Sequence, residues 1–143
     1  MIRTICVLAG IAIGVTGVAA QGDAIAERKK LMKGNAQHTK GISAMVKGEA
    51  PFDAAAVNAA FTQWSATAAA LPKLFPDNSK TGSETRALPK IWDDRKGFDA
   101  QIAAFTKASA ARPKDAEALK TAFPAVAKVC GDCHEGYRAA AKK

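Results

Sequence analysis

Histidine and cysteine are scarce in this chain of 143 residues, which holds two of the first and three of the second. A closed structural zinc site needs four such ligands, and beyond Cys130, Cys133 and His134 the chain past residue 20 offers only His38. Long apolar runs are missing too. The longest, Ile5 to Val18, falls short of the roughly 18 to 20 residues a spanning helix needs, and Gly10, Gly14 and Gly17 interrupt it. Alternating or β-branched runs that would mark a sheet are also lacking. The formal charge is +8, yet no consecutive basic block exceeds Arg28-Lys29-Lys30 and none is interleaved with aromatics, so nucleic acid is not an expected partner.

Most of what is present is alanine, lysine and helical periodicity. Arg3, the uncharged run behind it and Val18-Ala19-Ala20 read as a signal peptide over residues 1–20, cleaved after Ala20. Export to the periplasm follows, with no integral membrane anchor after processing. Cleavage removes Arg3 and no acid, lowering the charge by one to +7. One domain is expected over residues 21–143.

Four stretches carry apolar spacing of a helical period. The first runs from about Asp23 to Val46, with Ile25, Met32, Ala36, Thr39 and Val46 near one face. Asp53 is placed to cap a second, whose stripe is Val57, Phe61, Trp64, Ala68 and Leu71. Pro72 and Pro76 stop it, and Asp77 to Leu88 reads as an irregular connection. Pro89 opens a third, marked by Ile91, Phe98, Ile102 and Phe105. The fourth carries Leu119, Phe123, Val126, Cys130, Cys133 and Tyr137, with Pro124 expected to kink it without ending it. Four amphipathic helices with mostly short connections predict an all-α, antiparallel up-down four-helix bundle.

The chemistry lies in Cys130-Gly131-Asp132-Cys133-His134. On a helix, positions i, i+3 and i+4 share a face. Two thiols so placed can reach the two vinyl-derived carbons on one edge of a haem, with the imidazole beneath the macrocycle. C-x-x-C-H is the attachment signal of haem c. A thioredoxin-like pair would instead open a helix beside a strand, and a haem-free helical protein with a redox or structural CxxC remains a rival reading.

With its haem motif near the C-terminus of a four-helix chain, the sequence resembles the class II cytochromes c, the cytochrome c′ superfamily. The matching segments are Arg28-Lys29-Lys30-Leu31-Met32-Lys33, Leu71-Pro72-Lys73-Leu74-Phe75-Pro76, Pro89-Lys90-Ile91-Trp92, and Cys130 to His134 followed by Tyr137-Arg138. The resemblance implies one covalent haem c on Cys130 and Cys133, with His134 as an axial iron ligand. It implies redox partner proteins, here acidic ones given the charge, and a homodimer through the first two helices in some members. It also implies a contact of Arg28 with a haem propionate, for which a plain surface Arg is the alternative; Trp92 is a candidate to pack beside the macrocycle, with the bundle core as its alternative place.

Three side chains compete for the sixth position on iron: Met32, Met45 and His38. A residue at the place of Met32 overlies the open haem face in this family, and in the low-spin branch it is a ligating Met. Met45 lies thirteen residues, roughly 20 Å, further along a straight helix. His38 is about 240° around the helix from Met32. The expected function is a periplasmic one-electron carrier, not an enzyme, with His134 and Met32 on iron. The alternative is a high-spin, five-coordinate cytochrome c′ that binds nitric oxide or carbon monoxide.

Overall fold

A computed structural model describes residues 16–141, with side chains from Ala24 onward. Most of the expected signal peptide, residues 1–15, lies outside the described residues. Helix α1 spans Thr16–Val46, α2 Ala54–Ala70, α3 Lys90–Asp93, α4 Arg95–Ser109 and α5 Ala116–Tyr137. Short 3₁₀ turns at Leu71–Lys73 and Asp77–Ser79 lie between α2 and α3. α1 packs on α2, α2 on α4 and α4 on α5, and α5 returns to α1 to close an antiparallel up-down four-helix bundle. The α1–α5 side is the most open of the four.

Local chemistry sets the ends. Gly48, at φ 77°, closes α1. The Gly48 N–H donates to the Met45 carbonyl at 3.1 Å and the Glu49 N–H to that of Ala44 at 2.9 Å, the paired bonds of a Schellman cap. Asp53 caps α2, one carboxylate oxygen accepting from the N–H groups of Ala55 and Ala56. Asp115 caps α5 by accepting from Ala118. Helix α5 runs unbroken through Pro124. That residue is exposed, so the carbonyl it leaves unpaired is on the watered side, where the loss costs least.

The core is built on the expected stripes. Val57, Phe61, Trp64 and Ala68 of α2 meet Phe98, Ile102 and Phe105 of α4 and Leu119, Phe123 and Val126 of α5. Trp64 lies at its centre, edge-on to Phe61 and stacked on Phe123.

Two expectations need correction. The stripe of α1 divides: Ile25 is buried and Met32 and Val46 pack on the core, Ala36 and Thr39 line the larger cleft with Met32, and the buried positions that the spacing did not name are Arg28, Asn35 and Ile42. Two of those are polar, which an apolar pattern cannot register. The third helix is also broken. Asp94, at φ −117° and ψ 57°, ends α3 and caps α4, accepting the Gly97 N–H at 3.0 Å.

The other oxygen of Asp94 accepts the Tyr137 hydroxyl at 2.8 Å, tying the break to the last turn of α5. Gly97 is what allows this. A Cβ there would stand 2.3 Å from the Asp94 carboxylate and 2.5 Å from the Tyr137 oxygen. Gly97→Ala is therefore expected to cost about 1–3 kcal/mol, as overpacking does. A denaturant midpoint that falls at constant m-value would register it.

Candidate functional site

The open α1–α5 side holds two adjoining clefts of about 700 and 510 Å³. Met32 of α1, Leu71 at the end of α2, and Cys133, His134 and Arg138 around the end of α5 line both. The larger adds Asn35, Ile102, Phe105 and Cys130, the smaller Arg28, Phe75, Ile91, Phe98 and Tyr137. Helical spacing on α5 delivers the two thiols and the imidazole together. Periodicity on α1 brings Met32 to the opposite wall.

The protonation states suit metal and thioether chemistry. Burial raises the pKa of Cys130, and burial followed by the proximity of Cys130 raises that of Cys133, so both are neutral thiols near pH 7. They are not joined to each other. Burial, then the charges of Arg138 and Arg86, lower the pKa of His134. The imidazole is thereby kept neutral with a free lone pair, the form that binds iron. Among the described residues no group of three or more His, Cys, Asp or Glu could hold a metal ion by itself.

Arg28 is 5% exposed and makes four hydrogen bonds to the segment after α2. Nη1 donates to the Leu74 carbonyl and the Ser79 hydroxyl, Nη2 to the Ser79 carbonyl and the Thr85 hydroxyl, at 2.7–3.0 Å. Its guanidinium lies over the Phe75 ring at 4.8 Å. Every one of these acceptors is neutral, so the charge has no carboxylate beside it, and burial lowers its pKa from the usual guanidinium value. Arg28→Met keeps the stem but orphans the acceptors, which is expected to cost about 3 kcal/mol in all. Chemical denaturation of the variant beside the parent measures it.

The segment leading to α3 is also fastened to the end of α5. Leu88 N–H donates to Tyr137 O, Ala139 N–H to Arg86 O, and the Arg86 guanidinium to Ala139 O. Arg86 therefore stands near His134 although 48 residues separate them. Sequence reasoning missed this basic neighbour, because no local pattern marks a pairing between a loop and a helix end.

Trp92 is not brought to the clefts. It lies behind Phe75, edge-on to that ring at 6.0 Å, with its indole N–H donating to the Phe75 carbonyl. It packs against the core and holds the wall residue Phe75 from outside. Met45 packs on the main core and His38 is half-buried elsewhere on α1; neither lines a cleft.

The residues present fit a haem. Two unpaired thiols and a neutral imidazole share one wall, a thioether faces them, and Leu71, Ile91, Phe98, Ile102 and Phe105 supply apolar sides. Arg28, Lys29, Lys30, Lys33, Arg86 and Arg138 surround the smaller cleft, where carboxylates would be received.

Known proteins agree with this chemistry. The family described as Cytochrome C' matches residues 23–138. A cytochrome c-556 from Rhodopseudomonas palustris is 41% identical over 145 residues, covering 96% of this chain and 97% of that protein. A cytochrome c' from the same organism is 42% identical over 139 residues, covering 94% and 95%. The structure of a Rhodopseudomonas palustris cytochrome c' superposes with a TM-score of 0.78 at 42% identity, covering 84% of this chain and 98% of that one.

Proposed function

Since this chain belongs to the cytochrome c′ family, whose members carry covalent haem c, we propose that it is a periplasmic one-electron carrier with His134 and Met32 as the two axial iron ligands. The haem-free reading is set aside by that membership. The observation that carries the ligand pair is that Met32 and His134 line the same two clefts from different helices. Bound haem supplies a one-electron couple, and a Met/His pair raises its potential relative to an all-nitrogen pair.

The chain's own residues divide the remaining work. Cys130 and Cys133 tether the cofactor. His134 reaches the iron as a neutral base. The basic rim would meet its carboxylates, with Arg28, whose Nη groups are bonded to Leu74, Ser79 and Thr85, adding charge at that wall. Family membership favours a carrier rather than an enzyme. The lysines and arginines around the smaller cleft also favour an acidic redox partner, for which charge speeds encounter more than it tightens binding. Export follows from the signal peptide, cleaved after Ala20.

Nearly equal identity to a cytochrome c-556 and to a cytochrome c' leaves the coordination number to residue 32. The test is a titration of the reduced holoprotein with carbon monoxide. A filled sixth site gives no spectral response at concentrations that saturate an open one. Ready binding would replace the carrier reading with a five-coordinate gas-binding protein.

A further inference from the structure

Among the cleft residues, Asn35 is the one polar side chain on α1 that is both buried, at 8% exposure, and turned to the larger cleft. It stands one turn after Met32 on the same helix face. The cleft it lines also has Leu71, Ile102 and Phe105 in its walls, and a leucine in place of Asn35 would need no polar partner. A carboxamide in such a place calls for a reason.

The reason lies in how it is held. The hydroxyl of Thr67, fully buried on α2, donates to Asn35 Oδ1 at 3.0 Å. The same hydroxyl accepts from Gln63 Nε2 at 3.3 Å, one turn back on α2. Donors and acceptors thus run in one direction, from Gln63 through Thr67 to Asn35. The carbonyl end of the amide is fixed, and the amino end is left over. Nδ2 donates to nothing among the described residues, and it is not one of the sealed, unpartnered atoms of the core, of which Trp64 Nε1 is the example. It opens on the cleft.

We propose that Asn35 is a positioning residue of the haem site: its amide N–H, locked by Thr67, is the hydrogen-bond donor of the wall beside Met32 and biases the bound haem toward the ferrous state. This rests on the haem-carrier reading above. The physical argument is electrostatic. The amino end is the positive end of the amide dipole, and in an apolar cleft its field is weakly screened. Ferric iron carries one more positive charge than ferrous, so a fixed positive end nearby disfavours oxidation. Hydrogen bonding around the ligands is one of the levers by which proteins set haem potentials. Without Thr67 the amide could turn and present either end, and the bias would average down.

The test compares reduction potentials of the holoprotein, Asn35→Leu and Thr67→Val by spectroelectrochemical titration. Side-chain amide ¹⁵N signals are followed in both redox states. Asn35→Leu is expected to shift the couple toward the ferric form by about tenfold, which is 59 mV for one electron. Thr67→Val, which keeps the shape and removes the hydroxyl, is expected to shift it the same way by less. In the parent, one Asn amide should exchange slowly with water and change frequency between redox states.

Potentials unmoved in both variants, whatever happens to stability, would make Asn35 a structural contact and overturn the proposal. If Asn35→Leu does not load haem, the Thr67→Val potential and the amide signal decide alone. The carrier reading fails separately, through high-spin iron in the parent, and the comparison of potentials holds for either spin state.

Discussion

Met32→Ala is expected to convert the iron from low to high spin and to give the reduced protein an affinity for carbon monoxide that, on the proposed ligation, the parent lacks. Met32 is the thioether shared by both clefts, while Met45 and His38 line neither. Neither of the other two candidate ligands on α1 is therefore in place to fill the vacated position. Alanine there leaves a gap beside Leu71, opening the distal side to a small neutral ligand. Met32 is only half-buried, so the stability cost stays near the low end for a Met truncation, about 2 kcal/mol. The protein should fold, load haem and change colour. Ferric and ferrous spectra with and without carbon monoxide read the result. A variant that stays low-spin would remove Met32 from the ligand set.

The second large effect is loss of the covalent link. Cys130→Ala with Cys133→Ala is expected to abolish haem that survives extraction by acidified organic solvent, and each single variant to retain one thioether. The two thiols are half-buried on the cleft wall and unjoined. Haem held without them depends on iron ligation and the non-covalent contacts of the cleft. Haem staining after denaturing electrophoresis reads the outcome, and a stained double variant would contradict the assignment of the tether. Both thiols are only partly buried against the main core, so circular dichroism of the double variant checks separately that the bundle still folds.

Much of this was legible from the chain. C-x-x-C-H fixes thiols and imidazole by local spacing alone, and a helix preserves that spacing whatever surrounds it. The stripes of α2, α4 and α5 were readable because their buried residues are apolar. Elsewhere the deciding partner is far away in sequence. The break at Asp94 depends on Tyr137 on another helix and on the absent Cβ of Gly97. Arg28 and Asn35 belong to the buried stripe of α1, but periodicity counts apolar residues and passes over polar ones whose partners lie on α2 or the segment after it. For Trp92, the choice between a place beside the macrocycle and one in the bundle core could not be read from spacing. Its indole N–H found the Phe75 carbonyl, on the outer side of the wall.

The same comparison explains the electrostatics. Charge along the sequence looks evenly spread, yet folding gathers Arg86 and Arg138 near His134 through the fastening of residues 86–88 to residues 137–139. Burial first, and then these two charges, hold the His134 imidazole in its neutral form.

The absorption spectrum of the exported, haem-loaded protein in ferric and ferrous forms tests the central claim most directly. The account predicts sharp low-spin bands in both states, with a weak far-red thioether-to-iron band in the ferric form. Broad high-spin bands in the resting protein would contradict it, leaving Met32 as packing and the iron open to gases.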